Sequence, residues 1–508
     1  MTKNWFRIGI VGIFLFSLFL RFWGLQRFNT LVFDEVYFAK FGNDYLTRTP
    51  FYNAHPPLSQ YIIGIGIWIA SHIPFWHDTV NGLTGSLRSP WSYRWINALT
   101  GSFIPVVVAA IAYQLSYRRR FALLAGFFTA LDGLFLVESR YALNNIYIVI
   151  FGLLGQWFLL LALEKRNQHR LFWLVFSGIA FGASTGTKWN GLWFLLGAYF
   201  LWIAAWIIRW LQSLSLANQN HQTRIPLFSY LRPLVPPLPA EVNSNVRASA
   251  IHTPLQNLTQ INIFQMFFYL GIIPALVYSV IWIPHLQLDK RYGFIAVHQE
   301  ILRFHLQMGG NSTNIHPYCA AWYKWPLLTR PMAYLYQTAQ SVTDPLPVLG
   351  PPLPSEAAKV IYDVHAMGNP FLWWFGIAAM IFLAGMLLAQ IIISGVKQKR
   401  FSLPATLSVD IWIAVYLVLN YAANLLPWVK VTRCVFIYHY MSAVVFTFLA
   451  IAWFVDQCLR SYYKELRAVG VTISFIILLA FIFWMPIYLG LPISHKGYQL
   501  RMWFESWI

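Results

Sequence analysis

An all-α polytopic membrane protein is the fold class this chain predicts, on three observations. Hydrophobic residues make up 58% of its 508 positions and charged residues only 10%, too apolar a mix for a core wrapped in a charged shell. The apolar residues gather into runs long enough to cross about 30 Å of hydrocarbon as helix. The Lys and Arg behind the formal charge of +19 fall in short clusters between those runs, as cytoplasmic loops require. They do not form the single basic face of a nucleic-acid binder. No nucleic-acid partner is expected; membrane lipid is the surrounding medium.

Taken in order, the candidate spans lie near 8–26, 95–115, 121–137, 145–163, 171–187, 189–208, 264–284, 370–394, 407–426, 437–455 and 470–490, about eleven helices by length. The stretch Ile8 to Leu20 has the length of a signal peptide, but no small-residue cleavage pattern follows, so it reads as a retained first span. Residues 58–73 decide the topology. If they do not cross and the N-terminus is cytoplasmic, then Arg118-Arg119-Arg120, Lys165-Arg166, Arg209, Lys397, Lys399-Arg400, Arg460, Lys464 and Arg467 all lie inside. If they cross, the same clusters lie outside. Residues 58–73 are therefore expected to be a juxtamembrane or re-entrant helix, punctuated by Gly64 and Gly66, and the C-terminus external.

The remaining segments divide accordingly, within one transmembrane domain spanning 1–508. The first external loop, 27–93, contains Asp34-Glu35 and His55-Pro56-Pro57. Phe33, Val36, Tyr37, Phe41, Asp44 and Tyr45 recur there at helical spacing, which predicts an amphipathic helix on the membrane surface. Residues 285–368 form a second external loop. Residues 210–262, rich in Asn, Gln, Ser and Pro, read as a mobile cytoplasmic linker. No internal repeat is visible, which counts against transporter folds built from duplicated halves. Cys319, Cys434 and Cys458 have no metal-ligand spacing, and their odd number suggests no disulfide framework, so the redox compartment stays open.

Strong polar groups concentrate in the external turns. They are Asp34-Glu35, Arg94, Glu138-Ser139-Arg140-Tyr141 with Asn144-Asn145, Thr187-Lys188-Trp189-Asn190, and Trp428 to His439 with Arg433. A carboxylate pair facing several cations suits an anionic, phosphate-bearing substrate beside a general base. Each member also has a plainer reading. Arg or Lys at a helix end can snorkel to headgroups, Asp34 can cap the helix that follows, Trp322, Trp325 and Trp428 can be interface-belt aromatics, and His55-Pro56-Pro57 can be a rigid turn. Their joint occurrence on one face favours an external site for an anionic, lipid-linked substrate.

An ordered set of motifs runs along nearly the whole chain: Arg21-Phe22, Phe33-Asp34-Glu35-Val36-Tyr37-Phe38-Ala39-Lys40-Phe41, His55-Pro56-Pro57-Leu58, Arg94, Ser139-Arg140-Tyr141, Ser184-Thr185-Gly186-Thr187-Lys188-Trp189-Asn190-Gly191, His316-Pro317-Tyr318, Trp322 to Pro331, Gly368-Asn369-Pro370 with Trp373-Trp374, and Leu426-Pro427-Trp428 with Tyr438-His439-Tyr440. In these motifs the chain resembles the protein O-mannosyltransferases, prokaryotic branch. The resemblance implies a C-type glycosyltransferase fold with eleven spans and inverting transfer of mannose from a polyprenyl-phosphate donor to Ser or Thr hydroxyls of an acceptor protein. It further implies Asp34 as the general base. Glu35, about 100° round a helix from it, would orient acceptor or sugar. Arg94, Arg140, Lys188 and Arg433 are candidates for the carrier phosphate, Arg94 and Lys188 foremost, with His55 and Asn145 as further substrate contacts. No cofactor or metal site is implied, and assistance by a divalent ion is left open.

Two departures matter. The resemblance predicts an Asp shortly after Ser139-Arg140-Tyr141, where this chain has Asn145, an amide that hydrogen-bonds but carries no charge. The loop 285–368 is too short for the lumenal sugar-binding-like domains of eukaryotic relatives, which favours a bacterial plasma-membrane enzyme. Two alternatives stay open: a C-type transferase moving another sugar, such as an aminopentose, onto a lipid or glycan, and a lipid-linked-sugar transporter. The first typically carries Lys where this chain has His55. The second needs a polar path, whereas Asp132 and Asp410 are the main ionisable groups inside spans.

Overall fold

The computed structural model describes residues 1–73, 80–165, 167–217, 253–310, 314–339, 360–397 and 407–508. Its helices are α1 (Lys3–Phe22), α2 (Glu35–Thr47), α3 (Leu58–Ser71), α4 (Pro90–Ser116), α5 (Arg119–Ala130), α6 (Gly133–Arg140), α7 (Asn145–Glu164), α8 (Asn167–Thr185), α9 (Leu192–Ala217), α10 (Ile263–Leu288), α11 (Phe294–Gln307), α12 (Pro370–Lys397), α13 (Val409–Leu425), α14 (Met441–Arg460), α15 (Lys464–Leu489) and α16 (His495–Gln499). Among the described residues nine helices are long and apolar enough to cross a membrane, or ten if the bent pair α5–α6 counts as one. The segment expected at 171–187 is the helix α8. Its polar first turn, Asn167-Gln168-His169-Arg170, shortens the apolar stretch.

The span expected at 121–137 bends by 60° between α5 and α6. Asp132 sits at that break. Its Oδ1 accepts from the Phe135 amide at 2.9 Å, and its Oδ2 from the Asn369 amide and the Trp373 indole at 3.1 and 2.8 Å. Asp410 is likewise consumed, by Arg118 at 2.5 Å, Trp453 at 2.8 Å and Gln457 at 2.7 Å. Neither acid marks a path through the bilayer.

Residues 58–71 form an unbroken helix. At about 1.5 Å per residue its fourteen residues reach roughly 21 Å, short of the hydrocarbon thickness. Gly64 is a contact rather than a break: a Cβ there would lie 2.8 Å from the Gly42 carbonyl, so the two glycines let α2 and α3 touch through backbone.

Residues 285–368, expected as a second external loop, hold structure that an all-α reading does not include. Strands β1 (Met332–Ala339) and β2 (Val360–Ala366) pair antiparallel, and β3 (Ile493–Ser494) adds to the other side of β2. Both longer strands carry the aromatic and β-branched residues that suit a pleated, half-buried surface. Of the linker expected at 210–262, residues 218–252 lie outside the described residues. Its ends are helical, as the tail of α9 and the short turn Pro254–Gln260.

Candidate active site

The first loop is wrapped around one guanidinium. Arg94 of α4 donates from Nε and Nη2 to the two Glu35 oxygens at 2.9 and 2.7 Å. Its remaining donors reach the carbonyls of Leu25 (3.1 Å), Phe28 (2.9 Å) and Thr30 (2.7 Å). Glu35 also accepts from the amides of Val32 and Ala142, at 2.8 and 2.9 Å. Both side chains are fully buried. Glu35 and Arg94, expected to face acceptor and carrier phosphate, therefore satisfy each other and brace residues 25–35. Arg140 is also committed elsewhere: it donates to the carbonyls of Leu20, Arg21 and Trp23 at 2.8, 3.1 and 2.8 Å and to Gly24 at 3.2 Å. A cation on the last carbonyls of α1 is a favourable helix cap.

That bracing presents Asp34. Phe33 adopts a left-handed backbone, φ 53°, costing a bulky residue about 1–3 kcal/mol, and its ring stacks on Tyr334 with centroids 4.1 Å apart. Asp34 occupies the N-cap position of α2, yet its carboxylate makes no capping bond. Capping therefore does not account for this residue. Burial pushes its carboxyl up to about 6, against the pull of the Lys188 ammonium.

Lys188, in the turn after α8, joins Asp34 to a buried chain of polar groups. Its ammonium is 3.5 Å from Asn145 Oδ1 and 5.3 Å from the centre of the Tyr438 ring. The Asn145 amide donates to both Glu138 oxygens at 3.2 Å, and the Tyr334 hydroxyl donates to Glu138 as well. Burial and the neighbouring Arg433 lower Lys188 to about 8, opposed by Asp34 and Glu138.

Beside this chain opens a cavity of about 490 Å³ whose polar wall is His55, Lys188, Trp189, Trp428, Thr432 and Arg433, with Leu192, Leu302 and Leu306 on the apolar side. His55 stacks on His305 at 5.5 Å. Burial and the nearby cations hold both imidazoles neutral, His305 at about 4 and His55 well below its usual range. Arg433 is tied down by its neighbour: Cys434 forms a disulfide with Cys319, and the Cys434 amide donates to the Gly309 carbonyl at 3.1 Å. This corrects the cysteine reading, since two of three cysteines pair across 115 residues and leave Cys458 free. Among the described residues no group of three or more His, Cys, Asp or Glu is placed to hold a metal ion.

Of the sequence candidates, then, Asp34, His55, Asn145, Lys188 and Arg433 come together, while Glu35, Arg94 and Arg140 serve the loop and helix ends. Glu138 stood in the external polar set with no role of its own, and Tyr334 was not in that set. Glu138 carries a legible signal, an acid in an apolar segment; Tyr334 carries none, because only the strand brings it in.

The geometry can accept a proton at Asp34 and hold an anion at Lys188 and Arg433, and the comparisons with known proteins concern the same regions. The family profile described as dolichyl-phosphate-mannose-protein mannosyltransferase matches residues 11–288, and that of the C-terminal four-transmembrane region of protein O-mannosyltransferase matches 291–507. The polyprenol-phosphate-mannose–protein mannosyltransferase of Mycolicibacterium smegmatis is 24% identical over 94% of this chain and 88% of its own length. That of Corynebacterium glutamicum is 21% identical over 97% and 92%. The structure of the S. cerevisiae protein O-mannosyltransferase Pmt1–Pmt2 complex bound to the sugar donor superposes with a TM-score of 0.73, at 13% identity, over 100% of this chain and 93% of the yeast chain. The chain thus belongs to the dolichyl-phosphate-mannose-protein mannosyltransferase family and is a membrane glycosyltransferase of C-type fold.

Proposed function

We propose that this enzyme transfers mannose, with inversion, from a polyprenyl-phosphate donor to a Ser or Thr hydroxyl of an acceptor protein on the external face of a bacterial plasma membrane. The observation that carries the reading is an uncapped, half-buried carboxylate, Asp34, coupled to an ammonium that lines a cavity shared with Arg433. The acceptor oxygen attacks the anomeric carbon, its proton passes to Asp34, and the bond from that carbon to the phosphate oxygen breaks. The electron pair leaves with the phosphate, where Lys188 and Arg433 stabilise the added charge. Neutral His55 and His305 offer hydrogen bonds without competing for the anion. The apolar wall at Leu192, Leu302 and Leu306 suits the first isoprene units.

Two features support the external face. Arg119 donates to the Met1 carbonyl, Arg118 pairs with Asp410 and Arg120 donates to the Leu459 carbonyl, so basic clusters gather at one end of the bundle, as a cytoplasmic face requires. The disulfide lies beside Arg433, and disulfides persist in oxidising compartments.

Purified enzyme in lipid nanodiscs, given polyprenyl-phosphate-mannose and a Ser/Thr-rich peptide, should yield a mannosylated peptide whose anomeric configuration is opposite to the donor's. Retained configuration, or transfer to lipid but not to peptide, would overturn the reading.

A further inference from the structure

Glu138 is a fully buried carboxylate that no step above uses. A buried charge costs several kcal/mol unless it is compensated. The groups that touch Glu138 are neutral donors, Tyr334 and Asn145. Among the described residues the cation that acts on Glu138 is Lys188, on the other side of Asn145. The amide thereby faces a carboxylate with its NH₂ and an ammonium with its oxygen, an orientation that both charges enforce. Without the charge on Glu138 the amide would be free to turn its NH₂ toward Lys188, which would push the ammonium away.

We propose that Glu138 is a positioning residue for the transfer reaction: acting through Asn145, it holds the Lys188 ammonium between Asp34 and the phosphate subsite. The carboxylate that the resemblance leads one to expect at position 145 is then supplied from position 138, two residues before the end of α6, across a contact of 3.2 Å. The charged and titratable groups facing Lys188 come from six segments: Asp34 before α2, His55 before α3, Glu138 on α6, His305 on α11, Arg433 in the turn after α13, and Tyr438 with His439 before α14.

The inference rests on the transfer reaction proposed above. Wild-type transfer tests that reaction, and the ratios among variants test the inference. Glu138→Gln should insert normally and raise the donor KM about tenfold or more, as loss of a charge-assisted contact does, with a smaller effect on kcat. Its basic pH limb should move to lower pH, because Lys188 loses a negative neighbour. The exchange variant E138Q/N145D swaps carboxylate and amide across the same contact and should recover most of the affinity and return the limb. Glu138→Gln with wild-type donor KM and pH limb would overturn the proposal. So would an exchange variant that inserts but recovers nothing. If neither variant inserts, Glu138 serves the fold alone and the proposal falls.

Discussion

Changing Lys188 and Arg94 separately to Gln should break two different things. Among the described residues Lys188 has only the amide oxygen of Asn145 and an aromatic ring as direct partners where it faces the cavity, so it has donor capacity left for a phosphate. A hydrogen bond to a charged group contributes about 1.5–3 kcal/mol, so Lys188→Gln should weaken donor binding by about 10- to 140-fold while the protein stays folded. Arg94 has all its hydrogen bonds inside the first loop, two of them to Glu35. Arg94→Gln leaves a fully buried carboxylate without its cation, a loss of about 3–5 kcal/mol, and the fraction that survives should bind donor normally. Equilibrium binding of a fluorescent polyprenyl-phosphate probe in nanodiscs, run beside thermal unfolding, separates the two. Donor affinity of Lys188→Gln within about twofold of wild type would refute the phosphate role. A stable Arg94→Gln with poor donor affinity would refute the architectural one.

Four further outcomes follow from the same geometry. Asp34→Asn keeps the shape and removes the base, so single-turnover transfer should drop by about 10²–10⁴ with donor affinity retained; near-normal transfer removes Asp34 from the mechanism. Transfer by the wild type should follow a bell, rising as Asp34 loses its proton near pH 6 and falling as Lys188 loses its charge near pH 8; Asp34→Asn should abolish the acidic limb, and a limb that persists unchanged in that variant assigns it to another group. Under denaturing, non-reducing conditions a maleimide should label one thiol, Cys458, and three after reduction. Cys319→Ser should raise the donor KM more than it lowers kcat, because it frees the segment carrying Arg433; three labelled thiols without reduction would contradict the pairing.

The fold was readable in sequence wherever one physical term dominates. Spans were legible because hydrocarbon thickness imposes a length on apolar runs; the placement of basic clusters led to the expectation that residues 58–73 do not cross, and α3 is fourteen residues long. The bend between α5 and α6 was not legible, since its cause is Asp132 hydrogen-bonding to residues more than 230 positions away. The small sheet escaped for a related reason: β1 and β2 lie in a loop between spans, and the strand that flanks β2 on its other side, β3, comes from the C-terminal end of the chain.

The site divides along the same line. That Asp34, Lys188 and Arg433 gather at one end of the bundle could be inferred from topology and charge alone. Which of two adjacent acids is held by a cation could not. Helical phase placed Glu35 on another face from Asp34, but the decisive fact is that Arg94 is held by Glu35 and three carbonyls, a competition for donors that only the folded loop resolves. Among four similar cations, the folded structure shows which are spent. Arg94 and Arg140 have geometrically matched acceptors inside the protein; Lys188 and Arg433 line a cavity, and among the described residues the Arg433 guanidinium donates only to the carbonyl of its neighbour Cys434. Unspent donor capacity beside a cavity is therefore a sharper guide to an anion subsite here than the presence of a cation at a helix end.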